Sequence, residues 1–195
     1  METRKVYLVF SDTGTLLTRT INLYTRSMLN HASIALDRQL DHVYSFGRKR
    51  PNNPFIGGFV KENLHSPFFD KTKCAVYRLT ISEEEYQLLQ QRIMVMEASK
   101  HLYRYNLLGL FGIMVNKELG RNNAYFCSQF VATLLQDCGS YHTVKPTSLI
   151  RPQDLRELPE LELIYQGELE QYPYFSTRYA ATLTEKWNRS KVKLG

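Results

Sequence analysis

The stretch "AYFCSQFVATLLQDCG" (124–139) decides how this chain is read. It carries the strongest helix signal in the sequence, and Gly139 supplies the stop. Cys127, Val131, Leu134, Leu135 and Cys138 recur at helical spacing, so they share one face, which is expected to point into a core. Cys127 stands at the helix start, where unpaired N–H groups and the positive end of the helix dipole favour a thiolate. The N–H of Cys127 or Ser128 can there donate to an oxyanion formed beside the sulfur. Helix position alone favours a plainer reading, a cysteine buried as a small hydrophobe. Cys138 follows eleven residues later, about 16 Å along the axis, which is too far for a disulfide to Cys127. Cys74 falls in the middle of a strand pattern and reads as core. Three cysteines without a C-x-x-C spacing argue against a disulfide scaffold or a zinc ribbon, and no cofactor or metal site is expected.

A nucleophilic thiol needs a base, and five histidines are available: His31, His42, His65, His101 and His142. His31 opens the strand "HASIAL", whose alternation puts His31, Ser33 and Ala35 on one face. Small residues on that face would admit a helix, so His31 is expected to face the cysteine helix across a narrow gap. His42 and Ser45 lie on the following strand, "DHVYSFG" (41–47), on opposite faces. His65 and His142 read as loop residues, and His101 lies just beyond a helix end.

Outward from these elements, "KVYLVF" (5–10) reads as a strand and 14–26 as a helix. The runs 31–37 and 41–47 read as a hairpin. Residues 48–72 show no period and are rich in Pro, Asn, Gly and Phe, which reads as a long loop. Its segment 52–69 is a candidate substrate lid, or equally a loop packed on the domain's own core. "KCAVYRLTI" (73–81) is a strand. Ser82 and Glu85 form a capping box that opens a helix with the stripe Tyr86, Leu89, Ile93 and Met96. Residues 103–120 are expected to be a broken helix or a packed loop, 161–169 a strand, and the tail from 176 helical. With no repeat and no linker, residues 1–195 are expected to form one α+β domain.

The net charge is +6, with half of it in the last eleven residues, 185–195, and another basic cluster in "GRKR" (47–50). Such clusters suit a solvated surface, with weak contact to an anionic membrane through the tail as the functional alternative. Nucleic-acid binding is not expected, because no basic patch is interleaved with exposed aromatics in a known motif. No apolar run approaches the ~18 residues of a membrane span, and no signal peptide is visible, so a soluble, cytoplasmic protein is expected.

"NHASIALD", then "VYSFGRK", then "YFCSQFVATLL" together resemble the circularly permuted papain-like superfamily, the permuted branch of the NlpC-type cysteine hydrolases. That branch includes the YiiX-like and lecithin:retinol acyltransferase-like proteins. In it the histidine strand precedes the cysteine helix, as His31 precedes Cys127 here. "YNLLGL" (105–110) looks like the family's tyrosine-containing approach to that helix. The resemblance spans roughly 5–138. It implies an antiparallel sheet packed against a cysteine-bearing helix, with Cys127 as nucleophile and His31 as general base. The family's third polar residue, which orients the imidazole, falls at Ser45, with His42 as competitor; histidine or glutamate is more usual there. The implied chemistry is acyl transfer from an amide, a peptide or isopeptide, or a lipid ester through a thioester. The alternative is a binding module on the same fold that is catalytically weak or inactive.

Overall fold

The computed structural model describes residues 2–12, 29–48, 57–106, 109, 112–113, 117–118 and 122–175. The expected helix at 14–26 and the tail from 176, including the basic residues 186–195, lie outside these residues, as do 49–50 of the "GRKR" cluster.

Six strands form one antiparallel sheet: β1 (Thr3–Ser11), β2 (His31–Ala35), β3 (Val43–Arg48), β4 (Gly57–Glu62), β5 (Lys73–Ser82) and β8 (Glu162–Glu168). Their order across the sheet is β4-β3-β2-β1-β5-β8. Two further short strands, β6 (Arg104–Tyr105) and β7 (Ala124–Tyr125), pair in parallel beside it. The helices among the described residues include α1 (Glu83–Ala98), α2 (Cys127–Asp137) and the short α3 (Pro152–Arg156). The chain is thus a mixed α+β fold. No described helix is long and apolar enough to cross a membrane.

β1 is buried without interruption from Val6 to Ser11, because both of its faces are covered. On one face Val6, Leu8, Phe10, Ala32, Ile34, Phe46 and Phe59 pack under α1 and α2. Phe130 of α2 seats against Phe46 and Phe59, with ring centroids 5.0 and 5.8 Å apart, which fixes the helix over β3 and β4. On the other face Tyr7, Val9, Ala35, Val43 and Val76 pack with Leu169 and Tyr172. Tyr172 closes this side by donating its hydroxyl to the Arg38 carbonyl at 3.0 Å.

α1 opens on the expected capping box. Glu85 N–H donates to Ser82 Oγ at 3.2 Å, and Ser82 N–H donates to Glu85 Oε2 at 2.6 Å. Its stripe Tyr86, Leu89, Ile93 and Met96 is buried. α2 buries Cys127, Val131, Leu134 and Leu135, with Cys138 just past its end. Gly139 then takes φ +88°, the left-handed conformation that glycine adopts without a Cβ clash.

Two expectations are corrected. Residues 48–72 are not one long loop: β4 runs through them, pairing with β3 over its full length. Phe59 is buried in the core, so the lid reading of 52–69 gives way to structure over 57–69. Nor does the face of Ser33 and Ala35 receive the helix. α2 packs on the Ala32 and Ile34 face, and the small residue that lets it approach is Ala32.

Candidate active site

Several local features set where α2 begins. β6 and β7 hold the approach: Arg104 N–H donates to Asn123 O and Asn106 N–H to Tyr125 O, both at 2.9 Å. Ser128 Oγ donates to Ile150 O at 2.8 Å and ties the first turn to the segment before α3. The N-cap is Phe126, which offers no side-chain acceptor to the first turn's N–H groups. A helix start without a side-chain acceptor can offer its first N–H groups to another acceptor.

Cys127 is buried, and its Sγ lies 3.8 Å from the carbonyl oxygen of Asn30, the residue before His31. The His31 imidazole and this sulfur interact, each favouring the other's charged form. The imidazole Nε2 meets Glu62 Oε1 at 2.7 Å. Glu62 ends β4, and its side chain is only 10% exposed. Two serine hydroxyls also donate to this carboxylate: Ser45 Oγ to Oε1 at 2.6 Å and Ser33 Oγ to Oε2 at 2.7 Å.

The electrostatics follow from this geometry. Burial alone would lower the His31 pKa, but the Glu62 carboxylate and the Cys127 sulfur outweigh it and raise the imidazole well above its ordinary value. Burial would raise the Glu62 carboxyl, yet His31 and the two serines hold it below the ordinary range. Burial would also raise the Cys127 thiol. The hydrogen bond and charge of His31, then the N–H groups of Ala32 and Ser128, outweigh burial and lower it. Cys74 shows what burial does unopposed: its thiol is pushed up to about 12. The surroundings thus shift Cys127 and His31 each toward its charged form, with a carboxylate behind the imidazole.

Of the residues expected at the site, the structure brings Cys127 and His31 together. Ser45 does not partner the imidazole. Its hydroxyl donates to Glu62, and Glu62 takes the place assigned to Ser45. His42 is exposed and pairs with Asp37 at 3.0 Å, away from the site. His65 lies 2.9 Å from Asp41 and packs on Phe175. His101 and His142 are exposed. Glu62 escaped the sequence reading because its strand did. The available signal was a lone acidic residue closing the apolar pair Phe59–Val60 just after two glycines. Comparison with known protein-family models and with curated proteins finds no match.

Proposed function

We propose that this chain is a thiol-dependent acyl-transfer enzyme on a circularly permuted papain-like fold. Cys127 is the nucleophile, His31 the general acid and base, and Glu62 the carboxylate that holds His31. The observation that carries this reading is the 2.7 Å contact between His31 and Glu62, with the Cys127 sulfur 3.8 Å from the carbonyl of Asn30, the residue before His31, at the start of a helix without a side-chain cap. The histidine-before-cysteine order and the antiparallel sheet under α2 agree with it.

In the proposed reaction the Cys127 thiolate attacks the carbonyl carbon of an amide or ester, forming the C–S bond. The carbonyl π electrons move to oxygen, where N–H groups at the start of α2 stabilise the charge. Collapse of this intermediate breaks the bond to the leaving amine or alcohol, which takes the proton from His31. His31, now neutral, accepts a proton from water or an acceptor amine as that group attacks the thioester. Breaking the C–S bond then restores the thiolate and the imidazolium. Glu62 stays ionised and stabilises the imidazolium throughout. A carboxylate rather than a hydroxyl at His31 favours the enzyme over a binding module that has lost turnover. The substrate class stays as broad as the chemistry: amide, peptide or isopeptide, or lipid ester.

The test is iodoacetamide alkylation across pH, read cysteine by cysteine from peptide masses, on wild type and His31→Ala. Cys127 should react well below pH ~8, with that reactivity lost in the variant. A Cys127 that reacts as an ordinary thiol in both proteins would sink the proposal.

A further inference from the structure

We infer that Ser33 and Ser45 are positioning residues of the acyl-transfer centre, their hydroxyls holding the Glu62 carboxylate charged and aimed at His31. The inference rests on the function proposed above and concerns how its third member is kept in its working state.

The geometry is specific. Ser33, Ser45 and Glu62 lie on the neighbouring strands β2, β3 and β4. Both serines are buried, at 2% and 0% exposure, so neither hydroxyl can turn to bulk water. Each donates instead to the same carboxylate, one to each oxygen, while His31 shares Oε1 with Ser45. An ionised carboxylate is acceptor-only and takes one hydroxyl donor on each oxygen without leaving a proton to place. The two hydroxyls therefore favour the anion. It does so where the sheet itself is open: among the described residues, β2 and β3 pair only at Ile34↔Tyr44 and Ala35↔Val43. Toward His31 the hydroxyl–carboxylate bonds join what the backbone ladder does not. Gly47 borders this group without crowding it: a Cβ there would make ordinary contact with Ser45 Oγ at 3.7 Å and His31 Cε1 at 3.8 Å.

If a hydroxyl is lost, the buried carboxylate loses a charge-assisted hydrogen bond and protonates at higher pH. It then supports the imidazolium less well, and the thiolate is supported less well in turn. Serines that only satisfied a buried group would affect folding stability and leave this relay untouched.

The experiment measures the pH profile of Cys127 alkylation in wild type, Ser33→Ala, Ser45→Ala, and the hydroxyl-keeping Ser33→Thr and Ser45→Thr. The expected result is an upward shift of the profile in each alanine variant, with alkylation near pH ~6 about tenfold slower, and recovery in the threonine variants. Alanine variants that melt earlier yet keep the wild-type profile would overturn the inference and leave the proposed function standing. An ordinary-thiol profile in wild type would overturn both. Should one alanine variant fail to fold, the carboxyl ¹³C titration of Glu62 in the other decides: an unmoved Glu62 rejects the inference, and an upward shift supports it.

Discussion

His31 Nε2 and Glu62 Oε1 stand 2.7 Å apart although Glu62 is paired in register with Val43, on the strand that lies between β2 and β4. The carboxylate thus reaches past a whole strand to hold the imidazole. Its aim depends on the β3·β4 register, because a slip of one residue would turn Glu62 to the helix-covered face.

Glu62→Gln keeps the shape of the side chain and removes its charge. The variant should lose about 3 kcal/mol of stability, as expected when one partner of a buried ion pair is removed. Cys127 alkylation near pH ~6 should slow by about tenfold or more. Urea unfolding and peptide-resolved alkylation read the two effects separately. An unchanged alkylation profile would mean that the carboxylate does not support the imidazolium.

The same pair sets a pH window for stability. Glu62 is lowered in the folded chain, so its contribution is present above its ordinary value of 4.5 and fades as pH falls through the lowered value. His31 is raised, so its contribution is complete below 6.5 and fades as pH rises through the raised value. The stability difference between wild type and Glu62→Gln should therefore be greatest between 4.5 and 6.5. A difference that stays flat across pH, or is largest under alkaline conditions, contradicts the ion pair.

The glycines near the site should differ in tolerance. A Cβ at Gly57 would lie 2.7 Å from Tyr105 Cβ and 2.8 Å from the Gly47 carbonyl oxygen, so backbone must move to admit it. Gly57→Ala should cost about 1–3 kcal/mol. At Gly47 the nearest contact is 3.7 Å, and Gly47→Ala should change stability far less. Comparable melting temperatures for the two variants would show that the start of β4 is not so tightly held.

Ser82→Ala removes half of the capping box of α1. A loss of about 1 kcal/mol is expected, with the Cys127 alkylation profile unchanged, because α1 supplies no group to the centre. A shifted profile would reveal coupling between α1 and the thiolate that the contacts do not contain.

The sequence made most of the local elements legible. Helical spacing gave the α2 face from Cys127 to Leu135 and the α1 stripe, and Ser82 with Glu85 marked the cap. Alternation and turn residues gave the β2–β3 hairpin. β4 was missed because "GGFVKE" is short and starts with two glycines, within a run otherwise lacking any period. What identifies it as a strand is its pairing partner, β3, and spacing within the segment cannot supply that. Glu62 was hidden for the same reason: its role arises from a sheet order that sets β4 two strands from His31. Ser45 was found, but the carboxylate it serves was not, so a supporting hydroxyl was read as the partner of the imidazole. The face of β2 was also misassigned. Small residues alternate with Ala32 and Ile34 there, and only the packing of α2 distinguishes the two sides.

The edge strand β8 returns to β5 after a long excursion, with Arg78 of β5 bonded to Glu162 of β8 across 84 residues. Both helices of the core layer, and the thiol, belong to that excursion. His31, Ser33, Ser45 and Glu62 all precede it in the chain. During synthesis the base and its carboxylate therefore emerge ahead of the sulfur. Cys127 must then find Asn30 across 97 residues, a contact between distant parts of the chain that forms slowly. In the proposed enzyme, the surroundings that lower the Cys127 thiol are assembled only when this long-range contact has formed.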